Sequence, residues 1–501
     1  MLLQRIEAHA LARPGATAIA WHNGQLTYRQ LRDGVLEAMS WLEAERLDAI
    51  ALDLVNGPDW VVLDIAAMAL GVCVVPLPPF FSAEQLRHAI VSTGVDAVIT
   101  DRTRGLPLLC AELFDGKRRR LDFCRSADTS SATTTEQVRR KAAGDLAGID
   151  KVTFTSGTTG TPKGVRLTWS QMRPVVISLV EAAAITEVDR HLATMPLAVL
   201  LENIAGVYAA LWAGARVMLS AMPDIGIRGA AGVDGRILAD GLARHAATTA
   251  IFTPQTLQAV VEALEEGVPG KPVLRFAAIG GAPVSSRLLS RAVDLGLPVY
   301  EGYGLSECSS VVCLNTPSHN RPGSVGRPLP HVDLAIADDG EVIVRKSGFR
   351  GYVGQSGAAR VDWRTGDVGA LDADGFLYLH GRRRNVFITA FGRNVAPEWV
   401  ERELTLEWPI SQVAVFGEAR PFNVAVIVAA EAATVAQVDE AVASVNRTLP
   451  DYARVGRWVR AETPFLTANG LLTGTGRVRR QQVYERHRDV IESIYQEAVL
   501  S

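Results

Sequence analysis

The stretch Thr153-Phe154-Thr155-Ser156-Gly157-Thr158-Thr159-Gly160-Thr161-Pro162-Lys163-Gly164-Val165 constrains this chain more than any other. It sets hydroxyls, glycines and one lysine directly after a β-like run. Glycine permits unusual dihedrals, Ser and Thr hydroxyls donate hydrogen bonds, and Lys163 adds a point charge, so such a loop can curl its backbone N–H groups around an anion. That is the chemistry of holding polyphosphate. The spacing Gly157, Gly160, Lys163, Gly164 does not match G-x-x-x-x-G-K-[ST], which sets aside a loop resting on a helix dipole. Taken alone, the stretch leaves a flexible surface loop of small residues open as the alternative.

With 501 residues the chain can bury a large core and form about three domain-sized units. Its 51 Lys plus Arg against 54 Asp plus Glu give a net charge of −3, without the basic footprint that nucleic-acid binding needs. Basic runs at residues 117–120 and 139–141 read as solvated faces near a polar linker. The 5 cysteines form no C-x-x-C pair and are odd in number, which points to a reducing, cytoplasmic setting. Neither H-E-x-x-H nor G-x-S-x-G occurs, against a zinc hydrolase or a common serine hydrolase. Charge comes too early at the N-terminus for a signal peptide. The longest uncharged apolar stretch, 65–83, is broken by Gly71, Pro76, Pro78 and Pro79, so it reads as a buried helix running into a strand and turn. No transmembrane segment is expected.

Along the chain, hydrophobic periodicity predicts a helix after Thr27 as N-cap, a strand over 50–54, a helix over 59–70 and a strand over 96–100. Alternation of this kind implies a largely parallel sheet with helices on its faces. The Ser- and Thr-rich segment 126–137 reads as an exposed linker. A helix over 171–184 and strands over 215–219, 249–252 and 275–279 follow. The last strand feeds the turn Gly280-Gly281-Ala282-Pro283, where backbone can approach a ligand closely. A strand over 298–300 then delivers Glu301-Gly302-Tyr303-Gly304-Leu305-Ser306-Glu307, and strand ends with glycine turns are where open α/β sheets place ligands. Residues 323–344 alternate as a small antiparallel sheet or barrel. Beyond Gly381, strands over 412–416 and 423–429, a helix over 435–446 and a polar tail suggest a small α+β domain.

Three further motifs carry chemistry. Gly302–Glu307 brings together an aromatic face, a hydroxyl and a carboxylate, suited to stacking a base, bonding a phosphate and holding Mg²⁺; a β-turn with a surface glutamate is the alternative. Asp367, after Asp362-Trp363-Arg364-Thr365-Gly366, can accept both ribose hydroxyls or cap its turn. Gly381-Arg382-Arg383-Arg384-Asn385 opens the change in composition, where a charged linker is the alternative.

In this order the motifs resemble the adenylate-forming superfamily of acyl-CoA synthetases, nonribosomal-peptide adenylation domains and luciferases, over nearly the whole chain. The resemblance implies an α/β fold: a large N-terminal domain of helix-flanked mixed sheets with a small β-barrel-like subdomain (1–383), then a small mobile α+β domain (384–501). It implies that ATP and Mg²⁺ activate a carboxylate to an acyl-adenylate with release of pyrophosphate. The C-terminal domain then rotates about Arg384 and the acyl group passes to a thiol. By match, Thr155, Ser156, Gly157, Thr158, Thr159, Gly160 and Lys163 hold phosphates. Tyr303 packs on adenine beside Gly280, Gly281 and Ala282, Glu301, Gly302 and Gly304 belong to the ATP/AMP-binding set, and Ser306 lies on phosphate, Glu307 on Mg²⁺, and Asp367 and Arg382 on ribose. Two anions meet when a carboxylate attacks the α-phosphate, and these cations and donors offset the repulsion.

Three departures stand against that pattern. The family's catalytic lysine lies in G-K-[IV]-x-R, whereas Gly476-Arg477-Val478-Arg479-Arg480 places arginine there. Arg477 keeps the charge but not lysine's geometry. Slower adenylation, a cation moved to Arg479 or Arg480, and specialisation for the second half-reaction are the open alternatives. Arg384 stands where many relatives have Asp or Lys. Pro196-Leu197-Ala198-Val199 carries an apolar residue where many relatives have histidine or an aromatic.

An apolar acid pocket is expected from Leu197, Val199, Leu200, Phe252 and Ile279. No aspartate lies near Ala198 and Val199, against an α-amino acid. Resemblance to long-chain fatty acyl-CoA synthetases over 392–398 and 467–473 makes a medium- to long-chain fatty acid the first expectation and an aryl acid the second. CoA is preferred over a separate acyl carrier protein as the thiol, with the phosphopantetheine path passing Gly392. A non-catalytic adenylate or acyl-CoA binder is the alternative of a different class.

Overall fold

The computed structural model describes residues 1–101, 114–121, 133–138, 146–155, 162–228, 232–268, 270, 272–355, 361–466, 468–473 and 477–500. By their contacts, residues fall into two units. One comprises Met1–Gly281, Ser290–Asp333 and Val344–Trp363, and the other Ala282–Leu289, Leu334–Ile343 and Arg364–Ser501. The boundary expected at 383/384 falls inside the second unit.

Local rules explain the first unit's elements. Thr27 caps helix Tyr28–Glu45 by accepting from the Gln30 amide at 3.2 Å, and the Gln30 side chain returns to the Thr27 amide at 2.8 Å. Helix Pro58–Leu70 starts on proline and stops at Gly71, φ +75°. Strand Cys73–Pro76 follows, and helix Ala83–Thr93 comes after the proline-rich turn. Strand Ala49–Asp53 is buried throughout and pairs in parallel with Cys73–Pro76 and Ala97–Thr100, the pattern of a sheet covered on both faces.

Two mixed sheets result. A seven-stranded sheet runs Phe114–Leu121, Thr133–Val138, Ala97–Thr100, Ala49–Asp53, Cys73–Pro76, Lys151–Thr155, Lys163–Leu167. A nine-stranded sheet has Phe276–Ile279, Thr249–Phe252 and Arg190–Leu192 at its parallel centre. The main core joins Leu2, Tyr28, Trp60, Leu167, Tyr208 and Phe349 among others.

A buried polar network crosses this core. Lys151 Nζ lies 2.8 Å from Asp64 Oδ1, both side chains 1% exposed, and donates to Tyr208 at 2.9 Å and to Asn203. Asn203 Nδ2 and the Tyr208 hydroxyl in turn donate to Asp64 Oδ2, at 3.1 Å and 2.6 Å. Burial pushes the Lys151 ammonium pKa down, and Asp64 opposes the shift.

The second unit holds most of a four-stranded sheet, Asp333–Ile336, Glu341–Arg345, Trp363–Leu371, Leu377–Arg382. It also holds a three-stranded sheet of Ile410–Phe416, Asn423–Ala429 and Val455–Arg460, with helices Pro397–Leu404, Val435–Thr448 and Arg480–Leu500.

Three sequence expectations are corrected. The end of the supposed linker, from Thr133 on, lies in strand Thr133–Val138, which pairs antiparallel with Ala97–Thr100, because its β-branched threonines suit a sheet despite their polarity. The supposed glycine turn after 300 is strand: Val299–Leu305 runs through Gly302 and Gly304. The polar tail contains helix Arg480–Leu500, whose Val483, Ile491 and Tyr495 are buried beneath charged neighbours. Among the described residues, no helix is long and apolar enough to cross a membrane.

Candidate active site

Strands Lys151–Thr155 and Lys163–Leu167 form an antiparallel hairpin with Thr155 opposite Lys163. Thr155 and Lys163 therefore stand at the mouth of the glycine-rich loop. Ser156, Gly157, Thr158, Thr159 and Gly160 lie outside the described residues. Segment 351–353 is stitched beside this hairpin: the Arg166 amide donates to Gly351 O at 3.2 Å and the Val353 amide to Gly164 O at 2.8 Å. Glycine is required at 164, since a Cβ there would sit 2.9 Å from both Val152 and Val353 side chains. The stitching brings in Tyr352, which the sequence reasoning missed. Its hydroxyl donates to Glu307 Oε1 at 2.7 Å, and Lys163 Nζ lies 5.3 Å from its ring centroid.

The C-terminal ends of the parallel strands gather the next group. Phe252 is opposite Ile279 and Ile279 opposite Glu301; the Gly280 amide donates to Phe252 O at 3.1 Å. A Cβ on Gly280 would meet Gly302 O at 3.4 Å and Leu201 at 3.9 Å, so segments distant in sequence converge here. Gly281 has φ +84°, a true bend, while Ala282 opens a segment of the second unit. Tyr303 is half-buried opposite Cys313. Gly304 sits at a bulge where a Cβ would fall 1.7 Å from Ser310 O, which is why the strand carries glycine. Ser306 and Glu307 follow in a 3-10 turn, both half-buried. Glu301 is buried and accepts from the Gly323 amide at 2.8 Å, so its carboxylate shapes the neighbouring loop.

Leu197, Leu200, Phe252 and Ile279 are buried and Val199 is half-buried. Their backbone is clamped by groups that the sequence did not single out. Glu202, fully buried, accepts from the Thr194 and Met195 amides at 3.0 Å each and contacts His191 Nε2 at 2.7 Å. Asn56 spans the same loop, donating to Met195 O at 2.9 Å and accepting from the Leu197 amide at 2.8 Å. Glu202 opens a π-helix, Glu202–Tyr208, in which a Cβ on Gly206 would fall 2.1 Å from Glu202 Oε1 and 2.5 Å from His191 Nε2. Gly206→Ala is therefore expected to cost about 1–3 kcal/mol by overpacking, read as a lower urea midpoint.

In the second unit, Asp367 and Arg382 are register partners on adjacent strands, with Arg382 Nε 2.8 Å from Asp367 Oδ1. Gly366, φ +76°, lies within strand Trp363–Leu371, which corrects the expected turn. Arg384 is exposed in the turn after strand Leu377–Arg382, which is tightened by amides of Asn385 and Val386 donating to Arg382 O at 2.9 Å each. Gly392, φ +72°, is exposed at the tip of hairpin Phe387–Ile388/Asn394–Val395.

Arg477 exchanges backbone bonds with Thr473: it accepts from that amide at 2.7 Å and donates to Thr473 Oγ1 at 3.0 Å. Arg477 is exposed at the surface, and partial desolvation of its guanidinium, then Arg382, pushes its pKa down, while Asp367 and Glu398 oppose. Arg477 thus shares its electrostatic surroundings with the Asp367–Arg382 pair. Arg480 does not: it grips Glu401 with both terminal guanidinium nitrogens, Nη2 at 3.0 Å from Oε2, and anchors the start of the last helix. That commitment argues against Arg480 as a relocated cation.

A family model described as AMP-binding enzyme matches residues 6–357, and one described as AMP-binding enzyme C-terminal domain matches 385–499, starting just after Arg384. The chain belongs to the AMP-binding enzyme family. A long-chain-fatty-acid–CoA ligase from Mycobacterium bovis is 29% identical, covering 93% of this chain and 94% of the relative. A 2-succinylbenzoate–CoA ligase from Bacillus mycoides is 28% identical over 83% of this chain and 85% of its own. The solved o-succinylbenzoate CoA synthetase from Bacillus subtilis, in complex with its acyl-adenylate intermediate, shares the fold with a TM-score of 0.75 at 21% identity, covering 96% of this chain and 97% of that one.

Proposed function

We propose that this AMP-binding enzyme is an AMP-forming acid–thiol ligase that activates a hydrophobic acid, a medium- to long-chain fatty acid first, and passes the acyl group to CoA. The observation that carries the reading is the convergence of Lys163 and Glu307 on Tyr352. It joins a cation and a carboxylate, far apart in sequence, beside the mouth of a glycine- and hydroxyl-rich loop.

In this reading Thr155 and Lys163 hold the outgoing phosphates, Tyr303 packs on adenine beside Gly280 and Gly281, and Ser306 binds phosphate. Asp367 accepts the ribose hydroxyls, kept in place by Arg382. Arg477 places positive charge against the attacking carboxylate and the α-phosphate. Mg²⁺ fits the donor present: Glu307 is a half-buried carboxylate with one oxygen held by the Tyr352 hydroxyl at 2.7 Å, and Mg²⁺ characteristically takes one or two carboxylates plus substrate phosphates. Glu307 would hold it, and it would neutralise phosphate charge as the α-phosphorus is attacked. Each contribution counts most where charge changes hands in the transition state.

The buried apolar faces of Leu197, Leu200, Phe252 and Ile279 support a hydrophobic acid. The long-chain relative supports a fatty acid, and the 2-succinylbenzoate relatives favour an aryl acid as the second reading. Thioester formation from C8 to C18 fatty acids, benzoate and 2-succinylbenzoate, with CoA and with holo acyl carrier protein, tests this. Fatty acyl-CoA is the expected product. Product on carrier protein alone would overturn the acceptor, and product from the aryl acids alone would overturn the acid.

A further inference from the structure

Tyr352 owes its position to three local features. Gly164 leaves room for the segment 351–353 to lie against strand Lys163–Leu167, and Tyr352 makes an antiparallel bridge to Val165 there. Gly351, φ +83°, turns the chain, and a Cβ on it would fall 2.8 Å from Arg166 Nη2. Phe349 and Trp363 then wedge the ring edge-on, with centroids at 5.0 and 6.3 Å, and pack on each other at 4.5 Å. A ring held on two sides has little freedom to rotate, so its two ends point where the packing sends them. The hydroxyl end meets Glu307 Oε1 at 2.7 Å, and the face lies under Lys163.

We propose that Tyr352 is a positioning residue: its hydroxyl anchors one oxygen of Glu307 so that the other stays free for Mg²⁺, and its ring seats Lys163 for the phosphates. The proposal rests on the reading of Glu307 as the metal-facing carboxylate. Without the anchor, a carboxylate on a half-buried turn samples several rotamers, and the ordering cost falls on metal binding. A cation over an aromatic face is likewise held without losing its charge to a counter-ion, which leaves Lys163 available to phosphate. The ring would therefore order the carboxylate and the ammonium together, before either meets ligand.

Calorimetric titration with Mn·ATP, and with ATP in EDTA, separates the two contacts. Tyr352→Phe keeps the ring and loses the hydroxyl. It should weaken Mn·ATP binding about 10- to 100-fold, the usual effect of removing a partner of a metal ligand, and leave metal-free ATP binding within about twofold. Tyr352→Leu should weaken metal-free ATP binding as well. In a Glu307→Ala background, Tyr352→Phe should add nothing, because its effect passes through the missing carboxylate. Thermal unfolding of each variant separates misfolding from lost positioning. Unchanged Mn·ATP affinity in Tyr352→Phe, with Glu307→Ala weakened, would overturn the proposal alone, as would additivity of the two substitutions. Unchanged affinity in Glu307→Ala would overturn the metal reading beneath it.

Discussion

Lys151→Ala should destabilise the protein by about 3–5 kcal/mol, a large part of the roughly 5–15 kcal/mol that holds a typical fold together. Lys151 and Asp64 are each 1% exposed, so removing the ammonium leaves a carboxylate buried without its counter-charge. The Lys151 ammonium also lies over two aromatic rings, 4.9 Å from the Tyr208 centroid and 5.6 Å from that of Trp60. Asn203 and Tyr208 would lose their shared donor and stand at the start and end of the π-helix that clamps the loop of Leu197 and Leu200. Lys151 also begins the strand that ends at Thr155, so the damage should reach the glycine-rich loop. Urea unfolding measures the loss. A companion Lys151→Met, Asp64→Leu variant should recover part of it, because no charge is then left unpaired while Asn203 and Tyr208 still lack partners. A single variant as stable as the parent would show that the pair contributes no net stability.

Arg477→Ala should lower adenylation about 10²- to 10³-fold, the scale seen when one preorganised donor to developing charge is removed. Arg477→Lys should fall between the alanine variant and the parent. The guanidinium stands in one field with Asp367, Glu398, Arg382 and Arg384, and lysine keeps that charge but loses the planar fork. Single-turnover formation of acyl-adenylate measures both variants directly. A lysine variant faster than the parent would mean that arginine merely handicaps the chemistry.

Much of the fold was legible because strong local signals agreed with the packing. Thr27 announces the N-cap of a helix, and the largely apolar run at 50–54 announces a strand, observed over Ala49–Asp53. Glycine misled where it served close approach instead of a turn: Gly302 and Gly304 lie within a strand, and Gly304 is there because Ser310 O leaves no room for a Cβ. Polarity misled at 133–138, where threonine is both polar and β-branched, and in the last helix, where a thin apolar stripe lies among charges. At the site, the type and order of residues pointed to Lys163, Glu307 and Asp367. Tyr352, Glu202 and Asn56 left no such mark, because their contacts are made across sheets and loops. The pairing of Asp367 with Arg382 was visible as two separate motifs, but only strand register joins them.

Acid-dependent exchange of labelled pyrophosphate into ATP tests the central claim most directly, because it reports formation of an acyl-adenylate whatever thiol comes next. Run across C8 to C18 fatty acids and a set of aryl acids, it should give exchange that depends on Mg²⁺ and on a hydrophobic acid. Absent exchange across the whole panel, with ATP binding intact, would contradict the account and favour a non-catalytic binder of adenylates or acyl-CoA.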